Sequence, residues 1–294
     1  MTEGRHGASA TQAFTVDSAA VRLRCPRCGG SLPTPSGASI LCPICKAEYP
    51  IIENIPSIMP AQFDIKVHDF FEQVPKNSAT SSLSYTPQPP WYMEYQFRIY
   101  ATTIRRMMVR WLTPGVLVLD IGCGHGKLLL PIAQQFHICG VDFIFGLLKS
   151  AQSCGYRAYH ADATNLPFAA NQFDAITCFE VFQHFPDPAP LMNEIARVCR
   201  PGGAIMVSTL NRTSLLRRLL RATARVVGAR RYDLPIIRRT VDEVVAVAAG
   251  SGLVLEEIGW ILSPSTVVGY NRKTGGPLSP LATNFTVLFK KPMS

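Results

Sequence analysis

Two periodicities divide the chain between Val116 and Lys290. Short apolar runs fit strands buried inside a sheet: Val116 to Ile121, Phe136 to Asp142, Tyr156 to Ala163, Phe173 to Phe179, Ala204 to Leu210, Leu253 to Leu262 and Asn284 to Lys290. Between them, stretches such as Leu191 to Cys199 and Thr240 to Ser251 repeat apolar residues at helical spacing. Strands alternating with helices predict an α/β fold. Arg200-Pro201-Gly202-Gly203 reads as the stop of the first helix and the turn into the next strand, because proline cannot continue a helix and glycine permits the reversal. Ser263 to Pro280 reads as a long irregular loop. Upstream, Trp91 to Trp111 is dense in apolar and aromatic residues at helical spacing, residues 1–18 read as a disordered lead, and residues 61–90 read as a linker.

The first run feeds a turn. Val116 to Ile121 passes through Asp120 into glycines at Gly122, Gly124 and Gly126, and Leu128 to Leu130 then open an apolar helix. Glycines let a ligand approach the main chain without meeting a Cβ, and N–H groups at a helix start favour an anionic group. The dinucleotide fingerprint would place its third glycine at position 127, which is Lys127, so the spacing is G-x-G-x-G instead. Asp142 closes the second run 22 residues after Asp120, the interval at which a βαβ unit brings a carboxylate to ribose hydroxyls; the alternative is a cap for a helix over Phe143 to Ser150.

A separate module lies in residues 19–60. Cys25-Pro-Arg-Cys28 and Cys42-Pro-Ile-Cys45 are two C-x-x-C knuckles separated by thirteen residues, which presents four thiolates for tetrahedral Zn2+. With four protein ligands no coordination position stays open, so the metal would be structural. A segment this short cannot build its own core, and metal binding is expected to supply much of its folding energy. The other five cysteines, Cys123, Cys139, Cys154, Cys178 and Cys199, stand in apolar sequence and read as packed thiols.

Charge changes the picture in one place. Of a net +9, nine arginines against the single acid Asp233 put +8 between Arg212 and Arg239. There Leu215, Leu216, Leu219, Leu220, Val226 and Val227 fall on one helical arc, with Arg217, Arg218, Arg221 and Arg225 on the other. This basic amphipathic insertion, residues 211–240, suits an anionic membrane surface or a lid over a lipophilic substrate; RNA phosphates fit less well, because interleaved aromatics for base stacking are absent. Met1 to Ala13 lacks the apolar core of a signal peptide, and no apolar run approaches the roughly 20 residues that cross a bilayer. The expectation is a cytoplasmic protein, peripheral on the inner face of the membrane.

The glycine turn after an acidic strand end resembles motif I of the class I S-adenosylmethionine (SAM)-dependent methyltransferases, and Arg197-Val-Cys-Arg-Pro-Gly-Gly203 closely matches a structural hallmark of that superfamily. The resemblance covers roughly Trp91 to Lys291. It implies a doubly wound, seven-stranded Rossmann-like sheet whose last strand inserts antiparallel between the fifth and sixth. It further implies SAM as cofactor, with Asp120 accepting from its ammonium group across Gly122, Gly124 and Gly126. Asp142 would hold the ribose beside Phe143, Asp162 and Ala163 would meet the adenine, and Phe179 would face the same crevice.

Glu180-Val-Phe-Gln183-His184 is similar to the E-V-x-E-H segment of quinone-ring O-methyltransferases of ubiquinone biosynthesis, with Gln183 in place of the second acid. That change weakens a metal site and leaves His184 as the preferred general base, the alternative being that it only lines the cofactor pocket. The implied acceptor is a lipophilic small molecule such as a quinone precursor or polyketide. The cysteine module resembles zinc ribbons fused before some bacterial methyltransferases and the activator subunits of certain tRNA methyltransferases; it would be a docking surface for a protein partner or a cap on the enzyme. Two rival readings stay open: an RNA base methyltransferase, and a SAM-binding module without turnover.

Overall fold

The computed structural model describes residues 21–60, 101–102, 104–216, 218–219, 236–262, 266–271 and 279–293. Five short strands build the N-terminal module: β1 (Leu23–Arg24), β2 (Ser31–Leu32), β3 (Ser39–Leu41), β4 (Glu48–Ile52) and β5 (Ile55–Pro56). The main sheet follows with β6 (Leu117–Ile121), β7 (His137–Asp142), β8 (Arg157–His160), β9 (Phe173–Phe179), β10 (Cys199–Leu210), β11 (Val254–Leu262), β12 (Thr266–Asn271) and β13 (Asn284–Lys290). The described helices are α1 (104–111), α2 (Phe145–Ser153), α3 (Ala189–Val198) and α4 (Val241–Gly250).

The spatial order is β12-β11-β13-β10-β9-β6-β7-β8. Strands β8, β7, β6, β9 and β10 pair in parallel, and β13 enters antiparallel between β10 and β11. The chain order reverses between β6 and β9, the switch point at which open α/β sheets bind ligands beyond their strand ends. Successive residues of β6 serve opposite cores. Val118 packs with Ile138, Ala175 and Met206 on one face, while Leu119 and Ile121 pack with Val141, Ile176 and Val207 on the other. Burial on both faces explains why the strands read as continuous apolar runs.

Three expectations change. Part of the stretch expected to be irregular forms β12, an eighth strand antiparallel to β11, its run Thr266-Val-Val-Gly-Tyr-Asn271 having the β-branched and aromatic character that pairing favours. The segment after the glycine turn is a 3-10 helix, Leu130–Gln135, and not an apolar α-helix opened by Leu128. Only ten residues separate Gly126 from His137, and the 3-10 rise of about 2.0 Å per residue lets so short a link run back along β6. Arg200 to Gly203 is no separate turn but an irregularity inside β10, whose pairing with β9 shifts between Cys199 and Ala204 around Gly202 at φ +73°. The amphipathic insertion is described only at its ends, which include helical residues 215–216 and 218–219; the lead 1–18, the linker 61–90 and most of the expected helix 215–227 lie outside the described residues.

Local chemistry sets the remaining elements. Thr240 caps α4 in a reciprocal box with Glu243, the hydroxyl accepting from the Glu243 N–H and the Glu243 carboxylate accepting from the Thr240 N–H. Helix α1 is tied to the sheet by the Trp111 indole N–H, which donates to the buried Glu257 carboxylate at 2.7 Å, with Arg110 3.1 Å from the same group.

The N-terminal module has no core of its own. Leu23, Leu32, Ile40, Tyr49 and Ile58 belong to the same buried cluster as Tyr159, Phe168 and Phe173 of the main domain. Phe168 is fully buried there, edge-on to both Tyr159 and Phe173 at 5.1 Å between centroids, and it bridges Leu23 by backbone pairing. Phe168→Ala is therefore expected to cost about 3–5 kcal/mol of stability, read from urea unfolding of the full chain.

Candidate active site and metal centre

The C-terminal ends of β6, β7 and β9 meet around the glycine turn. Gly122 and Gly126 both sit at positive φ, +69° and +73°, and both are hemmed in. A Cβ on Gly122 would collide with the Val181 side chain, and one on Gly126 would stand 2.9 Å from the Ala151 backbone of α2. Gly124, also left-handed, directs its N–H onto the Asp142 carboxylate at 2.8 Å. The other Asp142 oxygen accepts from the Ile144 N–H at 2.9 Å, so this carboxylate joins the turn after β6 to the end of β7. It is not the helix cap: α2 is capped at Ile144 with no side-chain bond.

Asp120 is buried at the end of β6. Thr177 of β9 donates to one of its oxygens at 2.7 Å and the Tyr156 hydroxyl to the other at 3.2 Å. Burial pushes its pKa up to about 7 against the opposing pull of these two bonds, and the neighbouring Asp142 charge adds to the rise. Burial likewise raises Asp142. A cation beside either carboxylate would favour its ionised form.

Asp162 follows β8 in a half-buried turn, where the Thr164 N–H and hydroxyl both donate to its Oδ1 at 2.8 Å. Ala163 is half-buried beside it, Phe143 is half-buried after β7, and Phe179 is buried at the end of β9. The structure thus brings Asp120, Asp142 and the three glycines together directly, with Phe179 on the adjoining strand and Asp162 beyond β7. Thr177, Tyr156 and Val181 were missed from sequence. Nothing distinguishes them there from ordinary strand and loop residues until pairing sets Thr177 opposite Asp120.

Beyond β9 the backbone turns sharply. Glu180 is left-handed at φ +59°, a conformation rare outside glycine that concentrates at functional sites. It is over-determined: its N–H donates to the Ser208 hydroxyl at 3.1 Å, and its carboxylate accepts from Asn284 at 2.9 Å. His184 lies in the 3-10 turn Phe182–His184. Burial lowers its pKa to about 4, partly offset by a hydrogen bond to the Glu180 backbone, so the imidazole is neutral near pH 7. The Gln183 side chain is buried, and its Oε1 has no hydrogen-bond partner among the described residues. The returning end of the insertion lies against this turn: Ile237 donates its N–H to the Gln183 carbonyl, and Arg239 donates to the Phe185 and Pro186 carbonyls over the Phe182 ring.

The second site is the cysteine cluster. The Cys25, Cys28, Cys42 and Cys45 sulfurs all lie within 4.8 Å of one another, with Cys25–Cys45 and Cys28–Cys42 each at 3.6 Å. A tetrahedron with Zn–S of about 2.3 Å has edges of about 3.8 Å, so the four donors fit Zn2+. Each knuckle closes alike, Gly29 N–H to the Cys25 carbonyl and Lys46 N–H to the Cys42 carbonyl, with Gly29 and Lys46 both left-handed. Backbone N–H groups of Cys45 and then Ile44 lower the Cys42 thiol to about 6, whereas burial and the three neighbouring sulfurs raise Cys28 to about 11, as close thiols that share their ionisation do.

Comparison with known proteins fits this geometry. Residues 119–207 match the model of a methyltransferase domain. The ubiquinone biosynthesis O-methyltransferase of Methylococcus capsulatus is 31% identical over 191 residues, 60% of this chain and 78% of that protein. The chain belongs to the class I SAM-dependent methyltransferases. A second relative, the ubiquinone biosynthesis O-methyltransferase of Xylella fastidiosa, is 38% identical over 107 residues, and there the methyltransferase matches 34% of its own length and only 44% of the relative's. In fold it resembles the magnesium protoporphyrin IX methyltransferase of Synechocystis, solved with bound S-adenosylhomocysteine (SAH), at TM-score 0.57 and 13% identity over 78% of this chain and all of that one.

The raised pKa of Asp120 has a measurable consequence. Between about pH 4 and 7 the folded methyltransferase keeps a proton that the unfolded chain has lost, so Asp120 makes stability fall as pH rises through that window. An ammonium group beside it favours the ionised form and reverses the shift. Calorimetry of SAH binding at pH 6.5 in buffers of different ionisation heat should show net proton release, most of it gone at pH 8 and in Asp120→Asn.

Proposed function

We propose that the methyltransferase moves the SAM methyl group onto a hydroxyl of a small lipophilic acceptor, such as a quinone precursor, seated at the exit of β9. The observation that carries this reading is the short segment after β9, where left-handed Glu180, the unpartnered Gln183 Oε1 and neutral His184 follow one another around Val181, which packs on Gly122 of the turn that would hold the sulfonium. The acceptor oxygen attacks the methyl carbon, the C–S bond breaks to leave SAH, and the hydroxyl proton passes to His184. Gln183 Oε1 would accept a second hydroxyl, which relieves a buried amide oxygen.

Asp120 would face the SAM ammonium group, Asp142 the ribose hydroxyls beside Phe143, and Asp162 with Ala163 the adenine, with Phe179 flanking the crevice. The four cysteines would hold a structural Zn2+ that takes no part in the step. The insertion's returning end closes against Phe182 and Phe185, which supports its role as an access segment for a lipophilic acceptor at an anionic membrane surface. Among the described residues no helix is long and apolar enough to cross a membrane.

The test is SAH release from SAM with an alkylated catechol as acceptor. His184→Ala is expected to lower turnover about 100-fold or more with SAM affinity retained; undiminished turnover across neutral pH removes His184 as the base. Methylation of RNA alone, or SAM binding without transfer to either acceptor, would replace the reading with one of its rivals. Charge reversal at Arg217, Arg218 and Arg221 should abolish co-sedimentation with anionic liposomes. Unchanged sedimentation would sink the membrane role.

A further inference from the structure

The loop Asp162 to Phe168 is gripped from two sides. From the main domain, Glu194 of α3 accepts the Leu166 N–H at 2.7 Å, and Arg197, itself paired with Glu194, donates to the Phe168 and Leu166 carbonyls. The other grip comes from the cysteine module. Asn165 donates through its side-chain amide to the Pro26 carbonyl at 2.9 Å and accepts from the Arg24 guanidinium at 3.3 Å. Backbone bonds run alongside, Arg24 N–H to the Pro167 carbonyl at 3.0 Å and Ala169 N–H to the Arg22 carbonyl at 2.9 Å, and Gln172 exchanges bonds with the Arg22 backbone in both directions.

Pro26 lies inside the first knuckle, between Cys25 and Cys28. Its carbonyl is therefore oriented by the same turn that would wrap the metal. Asn165 in turn closes the turn on Asp162, donating its backbone N–H to the Asp162 carbonyl at 3.1 Å. A continuous set of contacts thus runs from the four sulfurs through Pro26 and Asn165 to the acid assigned to adenine. The module's far end holds the neighbouring edge: Ser57 bonds the His160 ring at 2.7 Å, the Ile58 N–H donates to the His160 carbonyl, Gln152 donates to the Asn54 carbonyl and Lys149 pairs with Glu53.

We infer that the cysteine module is an internal strut for the adenine-side loop, with Asn165 as its positioning residue, so that metal occupancy and SAM binding are coupled within one chain. The inference rests on the cofactor and zinc assignments proposed above. Since the module shares its core with the main domain, loss of the metal loosens the first knuckle and frees the loop on one side, leaving Glu194, Arg197 and the packing of Phe168 against Tyr159 and Phe173 to hold it. Coupling is reciprocal: bound SAH must slow or weaken metal loss by the factor by which metal strengthens SAH.

The experiment uses the full chain, zinc-loaded and then stripped stepwise with a chelator. It follows zinc content, SAH affinity by calorimetry, and amide exchange over residues 161–169 with β6 as the internal reference. Stripping is expected to weaken SAH about tenfold or more and to raise exchange over 161–169 while β6 stays protected. Unchanged affinity and exchange after complete zinc loss overturn the coupling while leaving the cofactor assignment intact. A loaded chain that binds no SAH, or a purified chain that binds no zinc, removes its foundation instead. Should stripping unfold the whole chain, Asn165→Ala decides: with zinc retained, SAH should still weaken several-fold, and unaltered affinity there overturns the inference.

Discussion

The site depends on one carboxylate with two jobs. Asp142 accepts from the Gly124 N–H on one oxygen and from the Ile144 N–H on the other, and so fixes the glycine turn against the end of the neighbouring strand. Alongside that link, the Gly122 and Cys123 N–H groups donate to the Val141 carbonyl of β7, and Gly122 and Gly126 pack against Val181 and Ala151. The arrangement also explains why a second buried acid can stand close by. Burial, with the Asp142 charge adding to it, raises Asp120 to about 7, and Thr177 and Tyr156 donate to its two oxygens. A cationic ligand would settle that balance toward the ionised form.

Much of this was legible in the residues. Strands buried on both faces leave unbroken apolar runs, so β6, β7, β9, β10, β11 and β13 stand out, and the glycine spacing marks where the sheet opens to a ligand. The four cysteines announce their cluster because no other use of paired Cys-Pro-x-Cys knuckles suits a chain of this kind. What could not be read were relations between distant segments. The helix expected after Leu128 gives way to 3-10 geometry because the return path to His137 is short, a constraint of sheet dimensions and not of propensity. Strand β12 was hidden because an edge strand needs only one partner and a few β-favouring residues. Asn165, Thr177 and Ser208 carry no local signal at all; their roles arise when pairing and packing bring them to Pro26, Asp120 and Glu180.

The exit of β9 shows how the fold concentrates strain where chemistry is proposed. Glu180 would relax if its surroundings allowed, but Ser208 from one strand and Asn284 from another hold its backbone and carboxylate. The same turn carries His184, whose burial favours the neutral imidazole, and it receives the returning insertion through Arg239. The returning end of the insertion is thereby anchored beside the exit of β9.

The docking of the cysteine module at β8 has a further meaning for the chain as an object in solution. A parallel sheet ends in a row of amide and carbonyl groups that would welcome a strand from another molecule. Here Ser57 bridges His160 along that row, and Ile55 and Ile58 are sealed over the neighbouring apolar surface. Trimming the protein back to its methyltransferase fold would thus uncover both an unpaired border and a greasy flank. The small N-terminal module covers both, and it and the main domain are better regarded as a single folding unit than as two joined parts.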